Sequence, residues 1–468
     1  MRMWSAIGPL AACLLVACAT DQRGDVERYR AVSDPPGGLP SRNGEDSFSL
    51  VDALRHTAAY NEQLAARGEQ YVQALAERQR AASALKPTLD LFAGVSLQEN
   101  TGSDAAVQTN VGVSGQYRLL TGQGDLRAVD AAGARAESRR WLILDLRESL
   151  LLQTARAYYD TLLAERLVSV LESSVHVQLE RLNDARARNE VGFTRPLDVS
   201  QIEAQVSRTK VQLVSAHRQA REARATLTLL TGADAAIAPL TDGFEAPADE
   251  RTVDELLRVA SAHRQDILAA RLEADAARSQ VDTAISQYAP TLSVNLEYFL
   301  ARAPDDSASA IASLIELRVP VLSAGRIEAD VRSAWSVFRQ RVLDYRLRTR
   351  EARRDVETAL VQLRASHDRS AELRKQVEVA HQSLALAEAA YQAGLGTNLE
   401  RITAQDELLN AELQAASEEF AIKTAYLSLS RACGLLSSEL IGSSIPPTPP
   451  ELLTPPDAPL LDRAPAQP

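Results

Sequence analysis

Lys86-Pro87-Thr88-Leu89 recurs as Ala289-Pro290-Thr291-Leu292, an offset of 203 (290 − 87). Leu120-Thr121-Gly122 recurs as Leu322-Ser323-Ala324, an offset of 202. Gly192-Phe193-Thr194-Arg195-Pro196-Leu197-Asp198 recurs as Gly394-Leu395-Gly396-Thr397-Asn398-Leu399-Glu400, again at 202. Three matches in one order at nearly one spacing mean that the body is written twice. Each copy reads helix, strand, strand, long helix, helix. The copies span 47–231 and 252–441, joined by a linker at 232–251.

The strands follow these repeated prolines and show period two. Leu89, Leu91, Ala93, Val95 and Leu97 share a face, and Val107, Thr109, Val111 and Val113 alternate with Gln108, Asn110, Gly112 and Ser114. The second copy gives Leu292, Val294, Leu296 and Tyr298, then Ile311, Ser313, Ile315, Leu317, Val319 and Val321. Runs of about ten residues suit tilted transmembrane strands as well as a soluble two-sided sheet. The connections, 98–106 and 301–310, are polar and read as exposed loops. Four strands cannot close a barrel, and their edges invite pairing with another chain.

The helices are long. Only Gly133 interrupts 125–190, and no proline or glycine falls between Arg326 and Ala393. Such a helix is roughly 100 Å long at 1.5 Å per residue. Leu373, Val377, Ala380, Leu384, Ala387 and Tyr391 are spaced 4, 3, 4, 3, 4, as are Leu409, Leu413, Ala416 and Phe420 in part. That spacing predicts coiled-coil seams.

Met1-Arg2-Met3-Trp4 and the apolar run Ile7 to Ala17 have the form of a signal peptide, residues 1–17. Leu15-Val16-Ala17-Cys18 resembles a bacterial lipobox, which makes Cys18 a lipidation site. Ordinary signal cleavage near Ala17 is the alternative. Residues 18–46 read as an extended lipidated arm and 442–468 as a Pro-rich disordered tail. Cys433 reads as a core residue.

Composition narrows the function. The 468 residues carry a net charge of −11, so phosphate backbones offer no counterion-release energy and nucleic-acid binding is excluded. No other run approaches 18 apolar residues, so any membrane crossing is by strands. The six histidines make no His-x-x-x-His pair, and there is no Gly-x-Ser-x-Gly, so neither an enzyme nor a metal site is expected. The arginines at 346, 348, 350, 353 and 354 alternate with acids and read as a solvated helix face.

The lipobox, the duplicated unit and the helix length together resemble the TolC family of outer-membrane efflux proteins, over roughly 47–440. The stretches that carry the likeness are Phe48 to Leu54, Ala155 to Asp160, Val319 to Arg326 and Ala393 to Glu400. The resemblance implies a mainly α fold with a small β part, in which a homotrimer pools four strands per chain into a 12-stranded barrel continued by an α-barrel. It implies an outer-membrane exit duct, passive and not an enzyme, lipid-anchored in a Gram-negative bacterium. An inner-membrane pump would drive it through a periplasmic adaptor, and no cofactor is implied beyond the covalent lipid on Cys18. In the family, acids just after the periplasmic turn line the entrance. Glu400 matches that place, Asp198 is its counterpart in the first copy, and Thr403 stands where a second acid is common. Both acids are also explained as first-turn residues favoured by the helix dipole. Gly192, Gly394 and Gly396 would permit the sharp tip turns. The rival reading is a periplasmic coiled-coil scaffold lipoprotein without channel activity.

Overall fold

The computed structural model describes residues 22–34, 47–98, 106–232, 239–303 and 311–442. Cys18, the signal peptide and the Pro-rich tail beyond Gly442 lie outside the described residues, as do most of both strand-connecting loops.

Two short helical pairs open the copies. α2 (Leu50–Tyr60) and α3 (Glu62–Ser83) precede the first strands; α6 (Val253–His263) and α7 (Gln265–Ile285) precede the second. Both pairs start from the same device: Ser49 with Asp52 and Thr252 with Glu255 form capping boxes at equivalent places. Each box satisfies backbone donors at the helix start in both directions.

The strands β2 (Thr88–Gln98), β3 (Ala106–Leu120), β5 (Thr291–Ala303) and β6 (Ile311–Arg318) form one antiparallel sheet in the order β2-β3-β5-β6. β6 ends at Arg318, short of the Val321 expected from periodicity. Pro320 lacks the N–H that would continue the ladder. Separately, β1 (Phe48–Ser49) pairs in parallel with β4 (Leu240–Thr241).

α4 (Gly124–Glu190) and α8 (Arg326–Gln392) each have 67 residues. They return as α5 (Pro196–Thr231) and α9 (Asn398–Cys433), 36 residues each. At both strand-to-helix corners two successive residues are left-handed: Gly122 and Gln123, then Ala324 and Gly325. One glycine per corner relieves one position, and the other carries the cost of a side chain at positive φ.

Parts of the expected seams pack together. Val377, Ala380 and Leu384 of α8 pack on Leu408 and Ala411 of α9. Leu409 packs with Leu171 and Ala216, joining the two hairpins. The largest core gathers Leu54, Leu151, Ala155, Tyr158, Tyr159, Leu227, Phe420 and Leu436. Tyr158 organises it: its hydroxyl lies 2.9 Å from the Phe48 carbonyl and 2.6 Å from that of Thr241, bridging β1 and β4.

The arm at 18–46 is not wholly extended. α1 (Gln22–Ser33) lies against α3 and α4, with Tyr29 pressed on Gly68, where a Cβ would stand 2.4 Å from the ring. The Val32 carbonyl accepts from buried Arg147 at 3.4 Å. α10 (Leu436–Leu440) closes the described chain, and the Ser437 N–H donates to both Glu148 carboxylate oxygens at 3.2 Å.

Cys433 is a buried free thiol, and burial pushes its pKa up to about 11. The neutral thiol is therefore favoured by folding. Its contribution is complete below the ordinary thiol pKa and lost as pH rises through about 11. We expect maleimide at pH 8 to leave Cys433 unlabelled until denaturant is added. Rapid labelling of the native protein, read by mass spectrometry, would contradict this placement.

Candidate functional site

The sheet has two chemically different faces. Cross-strand register aligns Leu91, Val113, Tyr298 and Ile311 in one row. The next rows hold Leu89, Gly115 and Leu296, then Tyr117, Val294 and Ile315. Leu89 is 78% exposed and Ile315 69%, so this apolar face meets no cover among the described residues. The opposite face carries Asp90, Ser114 and Glu297 in one row, Gln116 and Asn295 in another, and Arg118, Ser293 and Glu316 in a third. Apolar on one side and polar on the other is the pattern of a membrane barrel wall.

At the far end of the long helices are two equivalent turns. The Phe193 N–H donates to the Arg188 carbonyl at 2.8 Å, and Leu395 N–H to that of Ala390 at 2.9 Å. Gly192 at φ +83° and Gly394 at φ +73° occupy the left-handed region that these turns require. Gly396 acts differently: a Cβ there would come 3.0 Å from that of Ala390, so close approach demands the glycine.

The three polar gate candidates have distinct surroundings. Glu400 is exposed and closes a capping box: its carboxylate accepts from the Thr397 N–H at 2.8 Å, while Thr397 Oγ1 accepts from the Glu400 N–H at 3.2 Å. Asp198 is 5% exposed and accepts two bonds from the Arg195 guanidinium, at 2.9 and 3.0 Å. Its charge is thus countered within its own chain, and the paired carboxylate holds Arg195 above its ordinary pKa. Thr403 donates to the Leu399 carbonyl at 2.9 Å. The carboxylates of Glu400 and Asp198 therefore serve different partners within one protomer.

What joins the two tips is Asn398. It is 1% exposed, its amide lies 3.4 Å from both the Asp198 carbonyl and Gln201 Oε1, and its own oxygen accepts from Arg401 at 2.9 Å. The Arg401 guanidinium stacks 4.5 Å from the centre of the Tyr391 ring. Burial, aided by nearby Arg181, lowers the Arg401 pKa. Further along, Arg181 pairs with Glu388 and Gln405, and Gln205 with Asp406, which also has Arg208 at 3.5 Å. Burial raises the Asp406 carboxyl above its ordinary value. Reading the sequence missed Asn398 because its partners are some 200 positions away. Its one local signal is that it stands where the first copy has Pro196, at the first position of the equivalent helix.

Among the described residues no helix is long and apolar enough to cross a membrane, and no three metal-ligating side chains come together.

A one-sided sheet at one end of two long helical hairpins, with polar ties at the other, is the plan of a channel protomer. The sequence matches the profile of the outer membrane efflux protein family twice, over residues 54–233 and 256–435. The chain belongs to that family, and its place is the outer membrane. It is 22% identical over 376 residues to the outer membrane efflux protein BepC of Brucella suis biovar 1 (strain 1330), covering 79% of this chain and 82% of that one. It is 22% identical over 370 residues to the outer membrane protein TolC of Vibrio cholerae serotype O1, covering 76% and 84%. The crystal structure of the outer membrane protein VceC from Vibrio cholerae shares the fold at a TM-score of 0.73 and 20% identity, covering 82% and 96%.

Replacing Asn398 with Ala strands buried polar partners, which costs about 1–3 kcal/mol per group. We expect Asn398→Ala to speed tryptic cutting at Arg195 and Arg401 severalfold while leaving the α2–α4 core resistant. Unchanged cutting in limited proteolysis would show that Asn398 does not hold the tips.

Proposed function

We propose that this chain is the exit duct of a tripartite efflux or secretion system, working as a homotrimer with an internally duplicated protomer. The observation that carries the reading is the sheet: among the described residues it has an exposed apolar face, a polar face and two unpaired edges, β2 and β6. An apolar face in lipid demands closed edges, because no water pairs the backbone there. Two copies would give eight strands, whose interior is only wide enough for side chains; three give twelve and a bore. A bore of about 24 Å between backbones follows from a strand spacing of about 4.8 Å and a tilt of about 40°.

The helices support the same assembly. On α8, Leu343, Leu347, Val361, Val379 and Leu386 are exposed. At 3.6 residues per turn they fall on one side of the helix. Val211, Val214 and Leu229 do the same on α5. Two different apolar stripes on one chain suit a head-to-tail contact that closes into a ring. A scaffold that stayed in the periplasm would leave both stripes and the sheet in water.

α1 supports a lipid anchor on Cys18. Tyr29 lies on Gly68 and Val32 beside Leu64, so the start of α1 points along α3 toward Ser83 and the sheet. The four steps from Cys18 to Gln22 reach at most about 14 Å. Acyl chains on Cys18 would thus enter the bilayer beside the barrel.

The duct performs no chemistry; an inner-membrane pump supplies the energy through a periplasmic adaptor. The tips around 192–200 and 394–403 face that partner. Phe193 and Leu395 are 85% and 87% exposed at equivalent positions and offer it apolar contact. Three copies of Glu400 around the axis would draw cations to the entrance.

Glu400→Gln separates charge from capping, because Gln also closes a capping box. In planar bilayers we expect the variant to form trimeric channels with lower cation selectivity. Equal selectivity would limit Glu400 to its cap, and absence of any conductance from the wild type would refute the duct.

A further inference from the structure

The first and last helices of the described chain meet at one arginine of α4. Arg147 donates Nη1 to the Val32 carbonyl of α1 at 3.4 Å and Nη2 to Ser437 Oγ of α10 at 3.4 Å. Arg147 is 3% exposed, and its Nε meets no acceptor among the described residues. Its neighbour Glu148 is fully buried. Among the described residues, the Glu148 carboxylate takes its hydrogen bonds from Ser437 alone, with both oxygens 3.2 Å from the one N–H. Ser437 is itself buried and serves both charges.

Burial opposes both charges. It raises the Glu148 carboxyl and lowers the Arg147 guanidinium from their ordinary values. Apolar residues of similar volume often hold a core as well as a buried charge pair does, so stability alone does not call for this arrangement. What an arginine supplies is reach, because its planar fork offers donors in two directions at once. Here one direction leads to the N-terminal helix and the other to the C-terminal one.

The two helices are held unequally. Leu436 and Ile441 at the ends of α10 lie in the core around Tyr158, and Ser430 Oγ donates to Glu439 at 2.6 Å. α1 rests on Tyr29 against Gly68 and on Val32 beside Leu64 and Trp141. An arginine side chain already fixed by one acceptor loses less entropy when it takes a second. Seating Ser437 therefore favours docking of Val32, and by linkage the reverse holds equally.

We propose that Arg147 is a clasp between the two ends of the chain. Seating α10 on Arg147 and Glu148 fixes the donor on which α1 docks, so the segment next to Cys18 is held tightly in a chain complete to α10. Synthesis delivers α1 first and α10 last. A chain cut short of α10 therefore leaves its N-terminal helix loose. The clasp does not depend on the exit-duct reading.

Hydrogen exchange of the purified full-length chain, read by mass spectrometry, measures the opening of α1 in peptides covering 22–34. Ser437→Ala keeps the N–H that Glu148 needs and removes the hydroxyl that holds Arg147. We expect it to speed exchange in α1 about fivefold, the scale of one net hydrogen bond, and to leave the tips at 182–206 unchanged. Exchange in 436–441 should stay slow, because Leu436, Ile441 and Glu439 keep their partners. Arg147→Met with Glu148→Gln removes both charges together and strands neither. In that background α1 should open faster than in the wild type, and adding Ser437→Ala should change it no further. Equal exchange of α1 in the wild type and Ser437→Ala would overturn the clasp. So would a Ser437→Ala effect of the same size in the neutral background, because the two ends would then communicate without Arg147.

Discussion

The structure depends on one constraint: the backbone donors and acceptors along the outer edges of β2 and β6 must be paired if the apolar face of the sheet lies in lipid. Leu89, Leu91, Val294 and Ile315 can leave water only by facing hydrocarbon or another protein surface. In hydrocarbon an open edge costs several kcal/mol for each unpaired group. A single chain cannot meet both demands with four strands. On the proposed reading, assembly is a condition of the sheet's stability, not an addition to a finished protomer.

The helices transmit that constraint over a distance. α4 and α8 are equally long but unequally covered by their own chain. α4 is held by α3, α5 and α7, so many of its residues are buried. α8 is buried mainly between Ile327 and Ser366, with Ala380 beyond, and elsewhere it shows apolar residues to solvent. At the tips the tie is polar instead. Asn398, Arg181 and Gln205 join the hairpins through hydrogen bonds and ion pairs, which have strong geometric demands and little bulk. Such contacts can be exchanged for water at modest net cost, as the proposed opening of the tips would require. The apolar core around Tyr158 has no comparable substitute for its partners.

Much of this was legible in the sequence, for physical reasons. The offsets of 202 and 203 fix the order of elements, because both copies obey the same geometry. Helix ends follow from Gly192 and Gly394, where the chain needs freedom that other residues lack. Strand faces follow from alternation, though Pro320 stops β6 before the alternation does. α1 was not legible: Tyr29 and Val32 are its main apolar contacts, and Gly24 weakens the helical signal. The site was only half legible. The position of Glu400 could be read, but its capping bond to Thr397 competes with a pore role. The pairing of Asp198 with Arg195 and the bridge at Asn398 depend on how two turns meet.

The closure of the sheet can be measured directly. Cysteine pairs placed on the two edges, Leu91→Cys with Ser313→Cys, Ile315→Cys or Leu317→Cys, sample adjacent registers on the apolar face, with Cys433 buried and silent. Oxidation in native outer membranes, followed by denaturing electrophoresis, should convert the chain into a covalent trimer for one register and not for the others. A chain that remains monomeric in every register, or that links β2 to β6 within itself, would contradict the account.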